Sequence, residues 1–525
     1  MVEPHRTYFD PFIKPLVEKP DSTYQYFPFK RSLDRGFWRQ HDRILQDAGV
    51  QLPPELPPDD PRLRQLNPDV LIVGNLARNV ITSRTVSYRT PQVSISAYVL
   101  HHMIHEVLAN SGLQRGGLVR MLWWLPETEK YTLFPITEMF RKSSDVRLAS
   151  ACQTTEVVGM LDLYNLKNQF YARRRQRPPH LEAQLAQRVQ QRMVESGMTR
   201  PADRSFLHER PDASRVSTIR SPLHSHVASV EDLEKEILAA EARLDNVKLL
   251  KPLRGTNRGG EVERELDASL RYPQCAEQVE AMDMRHSLRA LSLRAYLDMN
   301  LRIVELEVGY KILEERHGAD DSIMEGLRKR IMEVEAVFHS HLQTRTRDYY
   351  DFTLQMTEQQ LACLVEPPLI QLDARSYEPL KGNPYDFYPA QEMMLLDMVP
   401  KPVDLAVPDL ATRSESSYLA ESLLKHILFA PSAFLADALD KIAPNAAQDL
   451  LPQIPAATDP RLGGRLNVKK LRARLISSPI LEGLVKAWME WPFKPSAAEL
   501  ELGAEEVGAP PNAEVAASPI DVVED

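Results

Sequence analysis

Two short apolar segments separated by one helix constrain this chain more than any other feature. DVLIVGNLA (69–77) and LVRMLWWLP (118–126) are nearly continuous apolar runs of strand length, typical of strands buried on both faces of a sheet. Between them, residues 94–112 carry apolar side chains at helical spacing, and Gly112 stands where a C-terminal cap is expected. Strand, helix and strand with short connections predict a βαβ unit of an open α/β sheet, with a Gly-Asn turn ending the first strand.

The middle of the chain predicts a different architecture, because its apolar residues follow helical spacing among many charged ones. Ser229 and Asp232 form a capping-box pattern ahead of one helix, and two longer helices are expected at 278–315 and 321–343. The Arg-, Ser- and Pro-rich composition of 178–226 is typical of a mobile segment. This part therefore reads as a helical insertion.

These patterns divide the 525 residues into five parts. A strand candidate at 392–400 returns to the sheet after the insertion, and helical patterning resumes beyond it. The predicted parts are an α/β domain (1–164), a helical insertion with an Arg-rich mobile segment (165–365), the second part of the α/β domain (366–410), a C-terminal helical domain (411–495) and an acidic disordered tail (496–525).

Composition excludes several classes of protein. The three cysteines lie far apart and form no CxxC pair, which excludes a zinc ribbon or a disulfide framework. No apolar stretch approaches the ~20 residues of a membrane span, so no membrane partner is expected. The formal net charge of −9 gives no overall basic footprint, so any nucleic-acid surface must be local.

The opening of the chain carries a family resemblance. MVEPHRTYFDPF resembles the second motif of S-adenosylmethionine-dependent rRNA adenine dimethylases, in particular the mitochondrial branch whose members became transcription initiation factors. The matching residues are Glu3, Pro4, Tyr8, Phe12 and the pair at 15–16. A carboxylate at the end of the second strand of such a sheet often binds the cofactor ribose, and Glu3 occupies that place.

Four further stretches resemble the same family in the same order. DVLIVGNLAR lies at the fourth motif, VRMLWWLPETEKY resembles the strand that follows it, and FYPAQEMMLLDMV (387–399) resembles a later family segment. AWMEWPFKP (487–495) resembles the C-terminal signature of the transcription-factor branch. The resemblance implies an α/β, Rossmann-like S-adenosylmethionine-dependent methyltransferase fold with a long helical insertion and a small C-terminal helical domain. Because the second motif stands at residue 3, we expect this chain to lack the first strand and its glycine-rich turn.

The resemblance also assigns roles to residues. Asn75 and Leu76 stand at the catalytic positions that hold the target amine, and Glu3 and Asn75 stand at cofactor-binding positions. The family has proline and an aromatic ring where this chain has Ala77 and Arg78, and no Gly-x-Gly occurs anywhere in the sequence. We therefore expect the S-adenosylmethionine site to be vestigial, with no cofactor required, and Arg78 to contact a base or a phosphate.

An arginine cluster offers a second nucleic-acid contact. Tyr171 stands next to Arg173, Arg174, Arg175 and Arg177, and the stretch 171–220 contains eleven arginines against five acidic residues. Clustered arginine beside an aromatic ring suits a phosphate backbone. The alternative interpretation is a solvated linker.

Histidines on the first helix leave a metal interpretation to weigh. His101 and His105 share a helix face with Glu106 nearby, but the order differs from HExxH and no third ligand is identifiable, so a structural helix face is favoured and no metal site is predicted.

Three other features favour structural roles. Trp123 and Trp124 alternate on a strand, which favours one core and one covering residue. The spacing of Trp488, Trp491 and Phe493 favours packing of a C-terminal helix against the body. GTNRGG (255–260) lacks a preceding strand and a P-loop lysine, so a loop is expected.

The function that the resemblance implies is transcription initiation. Such a factor binds promoter DNA, which can be single-stranded, and helps mitochondrial RNA polymerase to open it in the mitochondrial matrix. The alternatives are an active rRNA adenine N6,N6-dimethyltransferase and a non-catalytic rRNA-binding ribosome-assembly protein. No transit-peptide pattern is visible, so the location depends on the resemblance.

Overall fold

A mixed five-stranded sheet organises the described part of the chain. The strands are β1 (Leu66–Asn75), β2 (Leu118–Pro126), β3 (Cys152–Gly159), β4 (Leu380–Lys381) and β5 (Met393–Pro400) in the order β1-β2-β5-β3-β4. The computed structural model describes residues 9–24, 26, 43, 46, 52–57, 59–76, 95–135, 137–160, 178–207, 220–250, 258–280, 288–318, 322–345, 347–388, 390–402, 410–495 and 499–500.

The predicted βαβ unit is confirmed. Helix α1 (Ile95–Ala109) connects β1 to β2, which run parallel, with Asn75 opposite Trp124. β5 runs antiparallel to both of its neighbours, so β1, β2 and β3 all point in the same direction. Their carboxyl ends share one edge of the sheet, where α/β proteins commonly bind ligands. The mixed α/β sheet is compatible with a Rossmann-like fold.

Three local predictions about this unit are wrong. Gly74 and Asn75 belong to β1 rather than to a turn, since both pair with residues of β2. The left-handed residue directly after α1 is Asn110, while Gly112 begins a separate 3-10 turn. β1 is not covered on both faces, because its Val73 side chain remains 64% exposed at the sheet edge.

One face of the sheet packs against helices and forms a core. α1 and α2 (Ser143–Ala151) contribute Val99, Met103 and Leu148, which join Met121 and Trp123 of β2. Trp123 is buried and Trp124 half-buried, which confirms the prediction of one core and one covering tryptophan.

Seven helices make up the described part of the insertion. They are α3 (Pro179–Glu195), α4 (Val230–Lys248), α5 (Arg258–Ala268), α6 (Gln274–Glu280), α7 (Leu288–His317), α8 (Ser322–Gln343) and α9 (Arg347–Leu364). The Ser229 cap is confirmed, since its hydroxyl accepts a hydrogen bond from the Asp232 amide at 3.2 Å.

Other predictions for the insertion need correction. The segment expected to be mobile contains α3, whose Leu181, Leu185 and Val189 are buried. The helix expected at 278–315 overlaps the end of α6 and most of α7, and residues 281–287 between them lie outside the described residues. The end of GTNRGG forms the first turn of α5 instead of a loop, because the helix already begins at Arg258.

The C-terminal part is helical, as predicted. Its helices are α10 (Leu410–Ile427), α11 (Leu435–Ile442), α12 (Ala446–Leu450) and α13 (Ser478–Glu490). Trp488 and Trp491 are buried, and the Trp491 indole donates a hydrogen bond to Asp449 at 2.9 Å. The prediction is wrong for Phe493, which is 73% exposed because it lies beyond the end of α13.

Short helical turns complete the description. Phe9–Ile13 is a π-helical turn that continues into Lys14–Val17, and Lys130–Leu133 is one turn after β2. None of the helices within the described residues is long and apolar enough to span a lipid bilayer. The predicted acidic tail lies outside the described residues, apart from Glu499 and Leu500.

Candidate nucleic-acid interface

The carboxyl edge of β1 and β2 holds the two predicted catalytic positions that the structure describes. Asn75 is exposed at the end of β1, whereas the Leu76 side chain is buried. The Leu76 amide donates to the Trp124 carbonyl at 2.9 Å, and the Leu76 carbonyl accepts from the Ser96 hydroxyl at 3.2 Å. A carbonyl oxygen has two lone pairs, so the Leu76 carbonyl can still accept a second hydrogen bond.

The other predicted site residues are not tested by this geometry. Glu3, Arg78 and the arginines at 173–175 and 177 lie outside the described residues. The cofactor-binding role of Glu3 and Asn75 therefore stays a prediction.

A buried ionic cluster lies behind this edge. Lys130 is 1% exposed and forms ion pairs with Glu127 and with Glu156 on β3, the second at 2.6 Å. The Glu127 amide donates to the Glu392 carbonyl at 3.0 Å, which ties the end of β2 to the chain just before β5. A buried charge of this kind persists only when it is paired, so the cluster fixes the geometry of the edge. From the sequence, only the pair of Glu127 and Lys130 could be expected, because these two residues are three positions apart; the contribution of Glu156 could not.

An aromatic turn projects from the same edge. We use this name for residues 383–388, in which the Asn383 side chain accepts from the Tyr385 amide at 3.0 Å and so fixes an Asx-type turn. Phe387 packs edge-on against Trp124, with ring centroids 5.0 Å apart. Tyr385 and Tyr388 are 84% and 85% exposed. Large exposed rings on an anchored turn are suited to stacking against flat ligands.

Sequence reasoning assigned no role to this turn. The sequence NPYDFYP does indicate an aromatic turn, because it combines asparagine and proline with three aromatic residues and has no Leu, Ile or Val. Only the folded sheet shows that the turn lies next to the end of β2.

Basic residues from the arginine-rich stretch lie beside the aromatic turn. Phe206 forms a bridge with Leu380, and the Leu207 amide donates to the Pro379 carbonyl at 2.7 Å, so residues 205–207 run along β4. Arg204 reaches Asp386 of the turn at 3.4 Å, and both side chains remain about half exposed.

Arg200 is also held in this stretch. Its guanidinium lies 5.7 Å from the centre of the Phe206 ring. Exposed guanidinium groups beside unshielded aromatic rings are the elements of a single-strand binding surface.

The histidine-rich face of α1 serves structure in this geometry. His102 contacts Glu106 at 3.2 Å, and the second oxygen of Glu106 accepts from the Leu113 amide at 3.1 Å. Burial lowers the pKa of His101 to about 4, so this ring is neutral at physiological pH. The described residues contain no group of three or more ligands that could hold a metal ion.

Comparisons with known proteins leave this site to be judged on its own geometry. No protein-family model matches the chain, and neither a curated protein nor a solved structure shows significant similarity to it.

Proposed function

We propose that this chain is a DNA-binding initiation factor of the mitochondrial transcription factor 1 type, working with mitochondrial RNA polymerase in the matrix. The supporting observation is the pair of exposed rings, Tyr385 and Tyr388, on a turn that Phe387 anchors to the end of β2. Together with Arg200 and Arg204, this surface is suited to holding one strand of melted promoter DNA by stacking and phosphate contacts.

The scaffold in this proposal is a methyltransferase-like sheet that no longer transfers methyl groups. An antiparallel strand between parallel ones, as β5 lies between β2 and β3, is also a feature of methyltransferase-type Rossmann sheets. Ala77 and Arg78 stand where the family has proline and an aromatic ring, which supports a binding role over methylation of an amine. The polymerase partner and the mitochondrial location rest on the resemblance of the sequence motifs.

Single-stranded DNA binding tests the interface directly. We expect Tyr385→Ala and Tyr388→Ala each to weaken binding of a fluorescent single-stranded oligonucleotide about fivefold or more, because one stacked base contributes about 1–3 kcal/mol. Phe429→Ala is the matched control, since Phe429 is an exposed ring in the C-terminal part and should not affect binding. Equal affinity of all three variants and the unaltered chain would remove the aromatic turn from the interface.

Run-off transcription tests the role in initiation. On a linear promoter with mitochondrial RNA polymerase, the unaltered chain should stimulate synthesis and the Tyr385→Ala, Tyr388→Ala double variant should not. Preferential binding of small-subunit rRNA without stimulation would instead identify a ribosome-assembly protein. Binding of S-adenosylmethionine in calorimetry, with methylation of that rRNA, would overturn the proposal in favour of the dimethyltransferase.

A further inference from the structure

A small cleft lies at the opposite edge of the sheet from the aromatic turn. It has a volume of about 50 Å³ and lies where the first residue of β3 and the last residue of β5 meet the start of α13. The loop after α9 closes another side. The lining includes Arg141, Thr154, Gln371, Lys401 and the segment 477–479.

Two cations in this lining form no ion pair with the residues that the structure describes. Arg141 is 4% exposed and forms no ion pair with any residue that the structure describes. Its Nη1 donates only to main-chain carbonyls, those of Arg474 at 2.6 Å and Ile476 at 2.9 Å. Lys401 is likewise without an ion pair among the described residues, and its Nζ donates to the Ala149 carbonyl at 2.7 Å. A buried charge without a partner is costly, so the cleft favours an anion.

Arg141 keeps its charge at neutral pH. Burial lowers the pKa of Arg141 to about 10, and the charges of Asp145 and Glu138 partly counteract that effect. Burial also lowers the pKa of Lys401, and the charge of Glu482 partly counteracts that effect. Glu366 is the carboxylate in the lining, and its side chain is 73% exposed beside Arg188 at 3.8 Å. The lining of the cleft therefore carries two basic side chains and one largely exposed carboxylate.

Unsatisfied polar atoms are present in the same lining. Arg141 Nε, Thr154 Oγ1 and Gln371 Oε1 are buried and have no hydrogen-bond partner in the described part of the chain. A guanidinium N–H and a hydroxyl can both donate to an oxyanion, whereas an ordered water alone would leave the two charges uncompensated.

The start of α13 adds a third positive element. This helix has 13 residues, and Ser477, Ser478 and Pro479 at its N-terminus line the cleft. The unpaired N–H groups and the dipole at a helix N-terminus favour negative charge.

We propose that this cleft binds a small oxyanion, with inorganic phosphate as the best match, held by Arg141, Lys401, Thr154 and the N-terminus of α13. The volume admits one such group and no attached nucleoside. The site is separate from the aromatic turn and joins the sheet to the C-terminal helices, so the anion completes that contact.

Phosphate titration of the full chain tests this proposal. At constant ionic strength, calorimetry should detect saturable phosphate binding, and phosphate should raise the thermal unfolding midpoint. We expect Lys401→Met to weaken binding at least about tenfold, because a charge-assisted contact is lost. Lys486→Met is the control, since Lys486 is exposed on α13. This variant should bind phosphate as tightly as the unaltered chain. No saturable binding, or equal binding by both variants, would overturn the proposal.

If Lys401→Met does not fold, hydrogen exchange of the unaltered chain can locate the phosphate site instead. Phosphate should slow amide exchange in peptides that cover the first turn of α13 and the end of β5, relative to chloride. Protection that is absent there, or spread evenly over the chain, would equally rule out a phosphate site in this cleft.

Discussion

At the residue scale, the position of the Trp123 ring requires a residue without a side chain at position 74. Gly74 and Trp123 lie opposite each other on β1 and β2, and the Trp123 ring fills the space that a Cβ atom at position 74 would need. The Gly-Asn pair reads as a turn in the sequence, because glycine is most often required for its backbone freedom. Here it is required for a close approach, which becomes visible only when the facing residue is known.

Replacing Gly74 with alanine tests this packing. We expect Gly74→Ala to lower the free energy of unfolding by about 1–3 kcal/mol, because the added methyl group overpacks a buried ring. Urea denaturation measures the change. Gly326→Ala is the control, since this helical glycine has open space around it and alanine should stabilise by roughly 0.5–1 kcal/mol. A Gly74→Ala variant as stable as the unaltered chain would mean that the ring moves aside freely.

The ionic cluster around Lys130 shows the limit of sequence reasoning at this scale. Glu127 and Lys130 are three residues apart and can be paired from the sequence alone. Glu156 comes from β3, and nothing in its local sequence indicates a buried lysine partner. The role that the sequence motif assigned to Asn75 stays a prediction, whereas Arg204 and Tyr385 were missed because they come from two distant segments that meet only in the fold.

At the element scale, apolar spacing predicted the existence of helices and strands better than composition did. The segment containing α3 appeared mobile because arginine and proline surround it, yet Leu181, Leu185, Val189 and Met193 are spaced to cover one helix face and are buried. The Ser229 cap was predictable because a serine directly before a helix can accept a hydrogen bond from a backbone amide of the first turn, here that of Asp232.

The Ser229 cap gives a measurable prediction for α4. Ser229→Ala should lower the free energy of unfolding by about 1 kcal/mol, because the Asp232 amide loses its acceptor at the start of a 19-residue helix. Hydrogen exchange at the first turn of α4 should rise by a matching factor. Ser340→Ala is a suitable control, since Ser340 is exposed within α8 and alanine there should not destabilise. Similar losses in both variants would show that the effect is not due to capping.

At the scale of the whole molecule, the direction of β5 could not be predicted from its sequence. The apolar sequence MMLLDMVP would suit a parallel or an antiparallel strand equally well. β5 runs antiparallel to β2, and its direction depends on how the chain returns to the sheet after the helical insertion. The βαβ unit was predictable because its two strands and its helix are local in sequence. Contacts between the insertion and the C-terminal part were not, since they join residues more than a hundred positions apart.

A buried charge network makes one of these long-range contacts. Arg465 forms ion pairs with Glu307 of α7 and Glu335 of α8, each with a contact of 2.9 Å or less, and all three side chains are buried. Asn467 donates to the second oxygen of Glu335 at 2.8 Å, and His339 lies 3.8 Å away. One guanidinium therefore faces two carboxylates in the interior.

This imbalance predicts a stability that depends on pH. Burial, reinforced by the charge of Glu307, raises the pKa of Glu335 from 4.5 to about 7 in the folded chain. The folded state thus binds a proton more tightly than the unfolded state. The resulting stabilisation is complete below about pH 4.5 and is lost as the pH rises through about 7. His339 contributes in the opposite direction, because burial lowers its pKa from 6.5 to about 3 and the unfolded state therefore binds its proton more tightly below about pH 6.5. This contribution is expected to be the same in a Glu335 variant, so comparing the two proteins isolates the effect of Glu335.

Glu335→Gln should remove this dependence, since the amide keeps an acceptor for Asn467 and cannot ionise. Between pH 5 and pH 8, the unaltered chain should lose roughly 2–3 kcal/mol more of its free energy of unfolding than the variant, as measured by urea denaturation across the range. Glu333→Gln, at an exposed position of the same helix, should follow the unaltered chain. Parallel pH profiles for all three proteins would show that Arg465 neutralises both carboxylates, and the contact between the insertion and the C-terminal part would then be insensitive to pH.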